Sequence, residues 1–187
     1  MNNSYNAIAK LFHWGMGLVF VGLIALGLLM TDMPLSPQKL QYYSWHKWAG
    51  VSVFMLVWLR LVWRLLNRPP AYPDSMSSGL QRVAHLGHAA LYGLMIVIPL
   101  SGWLMSSAKG VPTVWFGVLP LPDLLERNKE LGHLLQEVHE SLNYLLMLLL
   151  AGHVAAALKH HWIDRDDILK RMLPNRSATP ARSKDNT

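Results

Sequence analysis

Polar residues punctuate the chain at intervals that leave four apolar runs, each long enough to cross a bilayer. Residues 12–30 hold nineteen positions without a charge, with His13 and Trp14 as their polar-tipped members, and about twenty apolar residues suffice for a spanning helix. Thr31, Asp32, Met33 and Pro34 follow, in place of the small residues a cleavage site needs, so a membrane helix is expected here and not a signal peptide. The second run, 45–66, sets Trp45, Trp48, Trp58 and Trp63 towards its ends, as interfacial belts require, and carries Arg60 and Arg64. Asn67, Arg68, Pro69 and Pro70 end it and open a Pro/Ser-rich connector reaching Gly79. The third, 83–105, contains His85, His88, Gly93, Pro99 and Gly102, and reads as a kinked helix because neighbouring helices satisfy the freed backbone. A long loop, 106–136, is apolar and Pro-rich over 111–122 and helically spaced over 123–135, which predicts a lid on the membrane surface. The fourth run is 136–161. Over 162–173, Ile163, Ile168, Leu169 and Met172 interleave with charged residues, the pattern of an amphipathic interfacial helix. The predicted fold class is therefore all-α, an integral membrane four-helix bundle within 1–174, followed by a polar, disordered tail at 175–187.

Composition sharpens this reading. With 52% hydrophobic residues, eight Trp and ten Met among 187 residues, the chain is more apolar than a soluble domain needs. It contains no Cys, which excludes structural disulfides, thiolate metal sites, iron–sulfur clusters and haem attached through C-x-x-C-H. The net charge of +6 leaves no soluble basic domain once the apolar runs are subtracted, so nucleic acid is not an expected partner and the charge belongs to topology. The N-terminus, the region 60–82 and the tail from Lys159 hold twelve of the seventeen Lys and Arg residues, which predicts that both termini are cytoplasmic and that the 106–136 loop faces outward.

The nine histidines are then the soft ligands in quantity. His139 and His153 are fourteen residues apart in one apolar helix, four turns less roughly 40°, so both imidazoles leave nearly the same face about 21 Å apart. An ionisable group at such depth is costly unless paired, coordinated or wet. The predicted topology puts His13 level with His153 on the cytoplasmic side and His46 level with His139 on the outer side. Two neutral imidazoles from facing helices are what axial ligation of a haem iron requires. Zinc wants four ligands, and each level offers two from this set. Two b-type haems therefore fit these residues best.

Other polar residues carry two readings each. Arg60, fourteen residues from His46, reads either as the partner of a haem propionate or as a snorkelling end-of-helix arginine. Lys47 reads first as a solvated interfacial lysine and second as a propionate partner of the outer haem. His160, two turns past His153, projects over the cytoplasmic edge, either as a surface histidine or as a proton donor to a bound quinone. His85 and His88 begin the third run at that level and either replace one of the assigned ligands or line a pocket, whereas His133 is expected to be solvated. Gly15, Gly17, Gly152, Ala155, Ala156 and Ala157 read first as close helix packing and second as room for a macrocycle.

Several of these motifs recur together in one known family. His13-Trp14, Trp45-His46, the Arg60/Arg64 pair before Pro69-Pro70, HLGHAALY from His85, PLSGW from Pro99, VHESLNY from Val138 and GHVAAALKHHWIDRDDILKRMLP from Gly152 resemble the bacterial cytochrome b561 family of dihaem membrane cytochromes, over about residues 5–174. The resemblance implies four transmembrane helices in the bacterial inner membrane and two b haems on His13, His46, His139 and His153. It also implies quinone-linked electron transfer, with His160 matching a position at the quinone pocket. Some members resemble superoxide oxidases, in which superoxide gives an electron at the outer haem and ubiquinone is the final acceptor; the activity would then be a superoxide:ubiquinone oxidoreductase. Against an anion funnel, 31–47 and 106–140 together hold five basic and six acidic residues, whereas an anionic substrate gains from a positive access surface. The alternative role is a haem b anchor subunit passing electrons between quinone and a separate dehydrogenase partner.

Overall fold

A computed structural model describes residues 4–73 and 76–174. Its four long helices are α1 (Ala7–Asp32), α2 (Pro37–Leu66), α3 (Ser78–Ala108) and α4 (Lys129–Trp162), with a short α5 (Ile168–Met172) and a two-stranded hairpin of β1 (Val114–Trp115) and β2 (Leu119–Pro120). All four long helices have the length and hydropathy to cross a membrane. The chain is an integral membrane four-helix bundle.

Each long helix begins at a capping residue outside its apolar run. Asn6 accepts the Ala9 N–H at 2.8 Å, Ser36 accepts that of Lys39 at 3.2 Å ahead of Pro37, Ser77 caps α3 through Leu80, and Asn128 accepts from Leu131 at 3.0 Å. Side-chain acceptors satisfy donors that the first helical turn leaves open, and Pro at the first position has no donor to lose. So α2 starts at Pro37 rather than near residue 45, and α4 at Lys129 rather than near residue 136. α3 is continuous through Pro99.

The helices pack in chain order, α1 on α2, α2 on α3 and α3 on α4, whereas α4 makes at most marginal backbone contact with α1 or α2. The core, Met16, Phe20, Val53, Val57, Leu94, Met95, Ile98 and Leu146, is small for four helices of this length. Leu11, Leu18, Leu59, Leu65 and Leu148 lie exposed along the outside, as a lipid-facing surface requires.

The N-terminal and C-terminal segments meet at one end of the bundle. Tyr5 N–H and Ser4 Oγ both donate to the Arg171 carbonyl, at 3.2 and 3.0 Å, and Trp14 Nε1 donates to that of Met172 at 2.9 Å. Arg171 Nη1 reaches the Ala71 carbonyl of the connector between α2 and α3. The segment expected to be one amphipathic helix over 162–173 is instead broken: α4 ends at Trp162, Arg165 adopts φ 55°, and only Ile168–Met172 is helical again.

At the opposite end the segment between α3 and α4 is tied to the bundle. Trp48 Nε1 donates to the Val114 carbonyl at 2.7 Å, Trp115 Nε1 to Ser52 Oγ at 3.2 Å, and Trp103 Nε1 to the Pro122 carbonyl at 3.0 Å. The hairpin turns through Phe116 and Gly117, both at positive φ. The stretch expected to have helical spacing over 123–135 is non-helical until Asn128 caps α4. The tail expected to be disordered, 175–187, lies outside the described residues.

Candidate metal centres

Two pairs of imidazoles face each other across the space between α4 and the α1–α2 pair, one pair near each end of the bundle. At the termini end His13 of α1 and His153 of α4 have ring centres 6.0 Å apart with planes at 55°. At the loop end His46 of α2 and His139 of α4 are 6.4 Å apart at 79°. Two imidazoles on opposite sides of one first-row metal ion, each bonded at ~2.0–2.1 Å, have ring centres about 6.3 Å apart. Both separations suit a shared ion, and α4 makes at most marginal backbone contact with α1 and α2 on this side.

Glycines decide how the loop-end rings sit. A Cβ on Gly27 would lie 3.5 Å from His46 Cε1, and one on Gly102 would lie 3.1 Å from His139 Cε1. Each imidazole therefore rests against the bare backbone of a neighbouring helix, α1 or α3. By contrast Gly15, Gly17 and Gly152 have nothing within 4 Å of where a Cβ would be. The close-packing reading of these three residues is overturned, and they border open space instead.

His139 Nδ1 lies 2.9 Å from Ser101 Oγ and 3.1 Å from the Ile98 carbonyl, and the Ser101 hydroxyl itself donates to that carbonyl at 2.8 Å. Both acceptors select the tautomer with hydrogen on Nδ1, which leaves the Nε2 lone pair free to bind a metal. Ser101 and Gly102 belong to the PLSGW motif, but their spacing alone did not reveal that they meet His139. The Lys47 ammonium reaches the Val111 and Pro112 carbonyls at 3.1 and 3.4 Å, so it fastens the loop rather than standing solvated.

The termini end is richer in cations. Arg60 Nη2 lies 3.4 Å from His13 Nδ1, and the guanidiniums of Arg60 and Arg64 lie over the Tyr92 ring at 5.3 and 5.7 Å. Among the described residues neither arginine has a carboxylate within ion-pair distance. Outside the membrane-spanning segments, burial raises the Tyr5 phenol above its ordinary pKa against the opposing pull of Arg64, so it stays protonated. His88 of α3 is a third imidazole here, with its ring centre 5.5 Å from that of His153 at 70°. That separation is shorter than two imidazoles on opposite sides of one ion have, which sets His88 beside the pair. His85 packs edge-on against Tyr72 at 5.2 Å, away from it, and His133 is exposed on α4.

His160 is buried, at 8% exposure, which removes the surface-histidine reading. Its Nδ1 lies 2.6 Å from Asp166 Oδ2 and 3.2 Å from Asp164 Oδ2. The sequence placed both carboxylates on an amphipathic helix pointing to water; the break after Trp162 brings them back onto the imidazole.

Comparison with known proteins shows the family. Residues 4–175 match the family model of prokaryotic cytochrome b561. The chain is 35% identical over 182 residues to cytochrome b561 homolog 2 of Escherichia coli (strain K12), covering 93% of each chain. It is 30% identical over 131 residues to cytochrome b561 homolog 1 of the same organism, covering 70% of this chain and 74% of that one. A Yersinia pestis protein named "Probable superoxide oxidase CybB" is 26% identical over 180 residues, covering 94% of this chain and 99% of that one. With its four spanning helices and facing histidines, the chain belongs to the prokaryotic cytochrome b561 family of multi-pass bacterial membrane proteins that bind b-type haem.

Proposed function

We propose that the protein is a dihaem b cytochrome of the inner membrane that carries electrons from superoxide at its loop end to ubiquinone at its termini end. The observation that carries the reading is the pairing of imidazoles at two levels, His13 with His153 at 6.0 Å and His46 with His139 at 6.4 Å. When bound, a b-type haem at each level supplies a one-electron iron couple whose potential is tuned by its surroundings. The four histidines hold the two groups, with Nε2 of His139 freed by the Ser101 and Ile98 contacts. Arg60 and Arg64, which lack carboxylate partners among the described residues, offer their guanidiniums to the propionates of the termini-end group. The preponderance of Lys and Arg beside the termini supports a cytoplasmic position for that end.

The proposed donor and acceptor act at opposite ends. Two superoxide anions each give one electron at the loop end and leave as dioxygen; one quinone takes both electrons and two protons at the termini end and becomes quinol. Electron transfer from superoxide needs proximity rather than acid–base groups, so protonation is required only at the quinone. His160, buried at that end, is the residue proposed to supply it. The relative named as a probable superoxide oxidase supports superoxide as donor.

The test is a reduced-minus-oxidised spectrum with haem quantification on the purified chain, followed by mixing with superoxide and a ubiquinone analogue. Two b haems per chain, reduced by superoxide and reoxidised by the quinone, are expected. Two haems that superoxide leaves oxidised would replace it by a separate dehydrogenase as donor. A colourless protein would overturn the reading from the histidine pairs onward.

A further inference from the structure

After Trp162 the chain folds back on the end of α4. Arg165 takes φ 55°, a left-handed conformation that costs an L residue and is retained where the surroundings demand it. Asp164 N–H donates to the Lys159 carbonyl at 3.0 Å and Asp166 N–H to that of His160 at 3.1 Å, which close the turn. The consequence is that two carboxylates converge on one nitrogen, His160 Nδ1. The two are not equivalent. Asp166 is held at both oxygens, Oδ2 against His160 at 2.6 Å and Oδ1 accepting the Ile168 N–H at 3.0 Å. Asp164 is shared with Lys159, whose ammonium lies 2.6 Å away and already supplies it with a cation. Side-chain exposure rises along the group, from 10% for His160 through 14% for Asp166 to 30% for Asp164, so the cluster runs from the protein interior towards water.

We propose that Asp166 is the positioning residue for His160 in quinone reduction, an inference that rests on the quinone role proposed above. A carboxylate fixed at Nδ1 holds the ring orientation and pairs with the imidazolium, the form with hydrogen on both nitrogens, and so leaves Nε2–H on the far side of the ring as the group that hands over a proton. Forming quinol takes two electrons and two protons, with two O–H bonds made. As the imidazolium, His160 gives one proton from Nε2–H, keeps its hydrogen on Nδ1 against Asp166, and is reprotonated at Nε2 from solvent; solvent gives the other proton. The turn at Arg165 is what brings Asp166 back to the imidazole.

Stopped-flow reoxidation of the pre-reduced holoprotein by a soluble ubiquinone analogue reads this directly in the haem absorbance. Asp166→Asn keeps an oxygen for the Ile168 N–H but presents an amide to Nδ1. It is expected to lower the limiting rate at least about tenfold, as loss of an oriented proton donor does, with unchanged KM for the quinone and unchanged haem per chain. Asp166→Glu is expected to recover part of the rate, and His160→Gln to lose as much as Asp166→Asn. A normal rate in Asp166→Asn beside a slow His160→Gln would overturn the positioning role and leave the quinone reading standing. A normal rate in His160→Gln would overturn both. A rate loss in Asp166→Asn that merely tracks lost haem would mean a structural role and overturn the inference.

Discussion

Gly102→Ala separates the demands of the helix from those of the loop-end imidazole pair, because the two respond with opposite sign. In an ordinary helix interior Ala is better than Gly by ~0.8–1 kcal/mol, so α3 alone gains stability. The new Cβ, however, meets His139 Cε1 at 3.1 Å and Nδ1 at 3.4 Å, and the ring must give by a few tenths of an ångström. His139 Nδ1 then moves from 2.9 Å to Ser101 and 3.1 Å to Ile98 towards the ~3.2 Å limit of a good hydrogen bond. A lost bond of this kind costs about 0.5–1.5 kcal/mol, and 1.4 kcal/mol is a factor of ten in affinity. The expected result is a loop-end haem held about tenfold more weakly, consistent with the 10–100-fold typical of changes behind a metal-ligating histidine, in a protein whose helix content is unchanged. The assay is haem per chain after extended dialysis against a haem-binding apoprotein, with the low-spin ferric EPR signals resolving the two sites. Gly79→Ala is the control, since a Cβ there meets nothing within 4 Å. Retention equal to that of the control would refute the claim that His139 is wedged against the α3 backbone as a ligand.

Three further outcomes are expected. His153→Ala and His13→Ala each remove the termini-end haem and leave the other, read as one haem per chain by pyridine haemochrome, whereas His88→Ala retains two; the reverse result would make His88 the ligand. Arg60→Gln removes a positive charge 3.4 Å from His13 Nδ1, which stabilises the oxidised state and lowers the termini-end potential by on the order of tens of millivolts in a redox titration. Arg165→Gly relieves the φ 55° conformation and raises stability by about 0.5–1 kcal/mol, seen as a higher temperature of haem release, without changing the His160 contacts.

What the sequence made legible were the features with a period or a fixed spacing. Apolar run lengths gave four spans, and the fourteen-residue separation of His139 and His153 gave two levels on one face. The helix ends were less legible, because hydropathy stops at the bilayer surface while a helix continues to its cap: Ser36-Pro37 starts α2, and Asn128 starts α4. The Gly102 contact with His139 was invisible for a different reason. Periodicity fixes the face a residue occupies on its own helix and says nothing of which neighbour that face meets, so Gly15 and Gly152 drew attention while Gly27 and Gly102 carried the contacts. The Asp166 contact with His160 depends on one residue, Arg165, leaving the helical region against its preference, and an amphipathic pattern continues unbroken through such a turn.

The two ends of the bundle differ in a way that sets a direction. At the loop end the imidazoles lie against glycine backbone, His139 is held by neutral acceptors, and the nearby Lys47 ammonium is engaged with loop carbonyls. At the termini end Arg60 and Arg64 stack on Tyr92 beside His13, with no carboxylate within ion-pair distance among the described residues. Positive charge close to a redox centre favours the state carrying the extra electron, and it does so more strongly where the surroundings exclude water. With a haem at each level, as proposed, Arg60 and Arg64 would lower the energy of an electron at the termini end. His46, Lys47, Arg60 and Arg64 all lie on α2. Under the proposed function one element would thus supply a ligand at one level and the charge that draws electrons to the other, the polarity that delivery from an outer donor to a quinone at the opposite face requires.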